Sequence, residues 1–85
     1  MNREQIQTLI IEAIQEIAPE IEREAIDPLE DIREECDMDS MDFLTFLTLL
    51  KNRSGVSIPE RDYPLVDTFD KLQRYLDAKL AQNGG

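Results

Sequence analysis

Ser40 stands between two carboxylates in the stretch Asp37-Met38-Asp39-Ser40-Met41-Asp42-Phe43-Leu44, where an acidic loop gives way to a strongly apolar run. Asp39 is a favoured helix N-cap residue. Asp42, three positions on, has a carboxylate that can reach back toward the free backbone donors of the first turn. Ser40 then falls in that first turn, its hydroxyl near the positive end of the helix dipole, a place that suits a phosphate. The plain alternative is that Asp39-Ser40 is a cap and nothing more, since capping gathers these residue types at helix starts. The chain has no histidine. No Ser-His pair can therefore activate the hydroxyl, and no imidazole can bind a metal or move a proton at neutral pH. Any reaction at Ser40 must be performed by another protein, so the chain is not expected to be an enzyme. Asp37, Asp39 and Asp42 invite a calcium reading, but the loop lacks the tight-turn glycine and the terminal bidentate glutamate of an EF-hand. They read as an acidic cap, and no metal is expected.

The elements that must hold Ser40 in place are helical. Ile6, Leu9, Ile10, Ala13, Ile14 and Ile17 recur at three- and four-residue steps and predict a first helix over 3–18, stopped by Pro19. A long loop over 19–39 shows no extended periodicity, but Ile21, Ile26, Leu29 and Ile32 are placed to pin it to a core. Within it, Asp27-Pro28-Leu29-Glu30-Asp31 predicts a short turn of helix. A second helix over 40–53 turns Phe43, Phe46, Leu47 and Leu50 inward. Met41, Leu44, Thr45 and Thr48 then share the opposite side, a candidate contact patch beside Ser40. Gly55 suits the left-handed end of that helix. Val56-Ser57-Ile58 is an extended step, Pro59 and Glu60 open a short helix over 59–63, and Pro64 ends it. Asp67 or Thr68 caps a last helix over 68–81, with Phe69, Leu72, Tyr75, Leu76 and Leu80 on its buried stripe and a flexible tail over 82–85. The expected fold is all-α: one domain over 1–85, a small bundle of three main helices plus one short helix.

Composition bounds the rest. Eighty-five residues support one modest core and no buried catalytic cleft with its own scaffold. Nineteen acidic against nine basic residues give a net charge of −10, which repels nucleic acid and favours basic protein partners. The longest apolar run, near Phe43 to Leu50, is interrupted by Thr45 and Thr48 and is too short for a bilayer, so no membrane association is expected. The lone cysteine, Cys36, has no disulfide or zinc partner and reads as a small buried side chain, with the cytoplasm as the default compartment.

Three ordered segments carry a resemblance: Asp39-Ser40-Met41, then Gly55-Val56-Ser57-Ile58-Pro59-Glu60, then Thr68-Phe69-Asp70-Lys71-Leu72. Their order and spacing resemble the acyl carrier protein family, over roughly residues 3–80. The resemblance implies a 4′-phosphopantetheine arm attached by a phosphodiester to Ser40, with Asp39 supporting, and acyl intermediates held as thioesters for fatty-acid, lipid or polyketide enzymes. The implied partners are a phosphopantetheinyl transferase and acyl-transferring or ligase enzymes; a monomer is expected to meet them through Met41, Leu44, Thr45 and Thr48 and the acidic loop. It also implies a space between the second and third helices for the cargo, with Phe46, Leu50, Ile58, Tyr63 and Leu65 as lining; the bulk of Phe43, Phe46 and Tyr63 predicts poor shelter for a long chain. The sequence departs from the family in three places. Met41 replaces the usual leucine, Asp37 stands where glycine is usual, and the second helix shows Thr45, Thr48, Lys51 and Asn52 in place of glutamates. Dedicated partners are expected in consequence.

Three other readings compete. An aminoacyl or peptidyl carrier would use the same serine with different cargo. An unmodified acidic helical adaptor would bind a basic partner through its surface alone. The terminal Gly84-Gly85 suggests a ubiquitin-like modifier, but that fold needs strand alternation, and the chain shows scarcely any.

Overall fold

The computed structural model describes residues 2–83. Three helices of 15 residues each form the frame: α1 (Arg3–Ile17), α3 (Ser40–Ser54) and α4 (Phe69–Asn83). Between α1 and α3 lie a 3-10 turn (Arg23–Ala25) and the four-residue helix α2 (Ile32–Glu35), and a 3-10 helix (Glu60–Leu65) precedes α4. The all-α bundle expected from the periodicity is what the structure shows.

Helix α1 packs against both α3 and α4 and forms the middle of the bundle. Ile6, Ile10 and Ile14 of α1, Phe46 and Leu50 of α3, and Leu72 and Leu76 of α4 meet there, each at most 1% exposed. Burying side chains of this size contributes about 1.5–3 kcal/mol each, which fixes the relative placement of the helices. Asn2 and Gln5 make a reciprocal capping box on α1 at 2.8 and 3.0 Å, a start signal that the apolar stripe did not reveal.

Several expectations are corrected. Leu29 is 78% exposed and does not reach the core. The segment 27–31 is a hydrogen-bonded turn, not helix: Asp27 Oδ1 accepts the Leu29 N–H at 2.9 Å, and its carbonyl accepts the Glu30 N–H. The helix comes afterwards, where Asp31 Oδ1 caps the Arg33 and Glu34 N–H groups. Pro64 does not end the short helix at Tyr63, because the 3-10 piece continues to Leu65; there a missing N–H costs only one bond of the last turn. Thr68 is the cap of α4, its Oγ1 accepting the Lys71 N–H at 3.1 Å. Helix α4 runs through Asn83, so the expected tail loses residues 82 and 83, and Gly84 and Gly85 lie outside the described residues.

Candidate functional site

The site is built where α2 turns into α3. Helix α2 ends in a Schellman turn: the Met38 N–H reaches the Arg33 carbonyl at 2.8 Å, and the Asp37 N–H faces the Glu34 carbonyl at 3.4 Å. Asp37 closes that turn at φ 53, the one left-handed non-glycine backbone among the described residues, and aspartate tolerates that region better than most side chains. Met38 is buried and locks the turn to the core. The turn therefore fixes both what precedes Ser40 and the direction in which α3 departs.

Asp39 caps α3 with Oδ1 at 2.8 Å from the Asp42 N–H. The return bond expected from Asp42 is absent among the described residues, since its carboxylate is one methylene shorter than the glutamate or glutamine of a complete capping box. Ser40 is the first residue of α3 and is exposed. Among the described residues its hydroxyl makes no backbone hydrogen bond and accepts one, from Arg33 Nη2 at 3.3 Å. The Arg33 guanidinium lies over the Phe43 ring, 5.3 Å from its centre. Arg33 was not singled out in the sequence, although it is the only basic residue between Arg23 and Lys51.

Beside Ser40 a groove of about 310 Å³ opens between α3 and the 3-10 helix, lined by Arg33, Ser40, Phe43, Leu44, Glu60 and Tyr63. Phe43 and Tyr63 meet edge to face at 5.7 Å and 89°, and Phe43 also contacts Phe46 at 6.1 Å. Of the residues expected to line this space only Tyr63 does. Phe46 and Leu50 are fully buried in the bundle core, Ile58 is half-buried against it, and Leu65 is 55% exposed. Phe46 and Leu50 are taken up by the packing of the bundle core, and Leu65 faces solvent.

Met41 and Leu44, 71% and 44% exposed, adjoin Ser40 on the outer side of α3 with Thr45 and Thr48. Both threonine hydroxyls donate back to the helix, to the Met41 and Leu44 carbonyls at 3.0 Å. Among the described residues, no cluster of three acidic or sulfur ligands is arranged to hold a metal, and no helix is long and apolar enough to cross a membrane. Cys36 is buried, and burial, with the nearby charges of Glu35 and Glu20, pushes its thiol up to about 11.

Residues 8–76 match the model of a family described as a phosphopantetheine attachment site. A comparison with curated proteins returns no match.

Proposed function

We propose, from the premise that this chain belongs to the phosphopantetheine attachment site family, that Ser40 is the attachment serine of an acyl carrier. The family carries 4′-phosphopantetheine covalently on a serine. The observation that carries the assignment is the Ser40 hydroxyl, exposed, free of the backbone and mounted on the first turn of a rigidly packed helix. The residues present fit the group: a positive helix end and the Arg33 guanidinium face the hydroxyl, and the groove opens beside it. When bound, the arm supplies a terminal thiol that holds cargo as a thioester. The chain's own part is to keep Ser40 accessible, through the Asp39 cap and the Asp37 turn, and to present it to enzymes that do the chemistry.

Phe43, Leu44 and Tyr63 beside Ser40 support an acyl cargo. Met41, Leu44, Thr45 and Thr48 are the proposed docking face. With both threonine hydroxyl protons donated back to the helix, it offers apolar contact and no glutamates, which supports partners other than strongly basic surfaces. The carrier is proposed to act as a monomer, since the apolar stripes of α1, α3 and α4 find their partners within one chain. Incubation with coenzyme A and a broad-specificity phosphopantetheinyl transferase tests the assignment. Intact mass is expected to rise by one phosphopantetheine, and S40A is expected to stay unmodified. No addition under conditions that modify a control carrier favours the unmodified adaptor. Loading by acyl-activating rather than amino-acid-adenylating enzymes tests the cargo class.

A further inference from the structure

We propose that Arg33 is the phosphate-holding residue of the loaded carrier, its guanidinium gripping the phosphodiester that joins Ser40 to the arm. The proposal rests on the reading of Ser40 as the attachment serine. Arg33 Nη2 already lies 3.3 Å from Ser40 Oγ, and the phosphorus would be one bond from that oxygen.

The surroundings of Arg33 point the same way. In a chain with 19 acidic residues against nine basic ones, three of the other basic side chains settle on carboxylates among the described residues. Arg53 pairs with Glu12 and Glu16, Lys71 with Asp67, and Arg74 with Asp70. None of the ion pairs among the described residues involves Arg33, although Glu34 and Glu35 follow it in sequence. Its side chain instead spans the Phe43 ring and ends on a neutral hydroxyl. Both ends of this arrangement are fixed: the Arg33 carbonyl takes part in the turn at Met38, and the Phe43 ring is buried and braced by Tyr63.

A hydroxyl is a weak partner for a guanidinium, whereas a phosphodiester anion is a strong one and matches its planar fork. A preplaced guanidinium loses little freedom on making that contact. It also offsets the repulsion that Asp39, Asp42 and Glu60 would exert on an anion at this position. The arm's root would then be held at the mouth of the groove while its thiol end stays mobile.

The test compares apo and loaded protein for the wild type, R33Q and R33K, with loading at Ser40 verified by intact mass and peptide mapping. Two signals are read: the phosphorus resonance of the phosphodiester and the Nε–H resonance of Arg33. On loading, the Arg33 resonance is expected to shift and to exchange more slowly with water. The phosphorus resonance is expected to move in R33Q, to move less in R33K, and to approach its R33Q position when salt is added to the wild type. A protein that gains no phosphopantetheine, or gains it at another residue, overturns the attachment reading and this proposal with it. A protein loaded normally at Ser40, whose phosphorus resonance is indifferent to R33Q and whose Arg33 resonance is indifferent to loading, overturns the phosphate contact alone.

Discussion

The Tyr75 hydroxyl donates to Asp62 Oδ2 at 2.7 Å, tying α4 to the 3-10 helix that walls the groove beside Ser40. Desolvation first, and then the Asp62 hydrogen bond and charge, push the Tyr75 phenol up to about 12 from its ordinary 10. A phenol whose folded pKa is raised contributes stability that is fully present below pH 10 and lost as pH climbs toward 12. The tie is therefore constant through the neutral range. Tyr75→Phe is expected to lower stability by about 1 kcal/mol and to speed amide exchange over residues 60–65 more than in α1. Tyrosinate absorbance in a Tyr63→Phe background reads the Tyr75 titration directly; a midpoint near 10 would contradict the shift.

Asp37→Gly is expected to stabilise the protein by about 0.5–1 kcal/mol, because glycine adopts the left-handed backbone at φ 53 without a Cβ penalty. Asp37→Val is expected to cost more than about 1 kcal/mol at the same position. Thermal unfolding of the pair gives opposite signs if the turn is strained as described.

Removing the α3 cap separates stability from modification. Asp39→Ala loses the 2.8 Å bond to the Asp42 N–H and is expected to cost about 1 kcal/mol. Ser40→Ala, at an exposed first-turn position, is expected to stay within about 0.5 kcal/mol of wild type. Chemical denaturation ranks the two, and intact mass after transferase treatment shows which of them still accepts the arm.

Cys36 is expected to be nearly inert to thiolate-directed reagents at neutral pH, since burial holds its thiol protonated up to about 11. Its stabilising share is present below its ordinary value of 9.0 and disappears as pH rises from there toward 11. Loaded protein is expected to show one fast-reacting thiol, on the arm, and one that reacts only on unfolding. Equal rates for both would contradict the burial.

A long acyl chain would have to part Phe43 and Tyr63, which close the groove edge to face at 5.7 Å. Loading with progressively longer chains is expected to perturb amides around Arg33, Phe43, Leu44 and Tyr63 while leaving Phe46, Leu50 and Leu72 nearly unmoved. Tyr63→Ala is expected to let the longer chains reach those core positions. Strong shifts in the core of the wild type would sink this expectation.

The three long helices were legible because each repeats its apolar residues over several turns: Ile6 through Ile14, Phe43 through Leu50, Phe69 through Leu76. The serine's place was legible from Asp39, a cap whose chemistry is local. What stayed hidden is short or non-local. Helix α2 spans four residues, less than two turns, so no period could announce it. Leu29 looked like a core residue because it falls in step with Ile26 and Ile32, yet the turn begun by Asp27 carries it outward. Pro64 signalled a stop that a 3-10 helix does not obey. Arg33 and Ser40 are seven residues apart, and only the turn at Asp37 folds one onto the other.

The loop ahead of the serine borrows backbone partners from the far end of the chain. The Ile32 N–H donates to the Asp67 carbonyl at 2.8 Å, and the Asp70 N–H to the Pro28 carbonyl at 3.0 Å. These two stitches make the last helix and its cap a co-owner of the end of the bundle that carries Ser40. A fragment trimmed before residue 67 would keep every side chain around Ser40 and lose the seam that holds them in register, so it is expected to accept the arm more slowly than the whole chain, as intact mass over time would show.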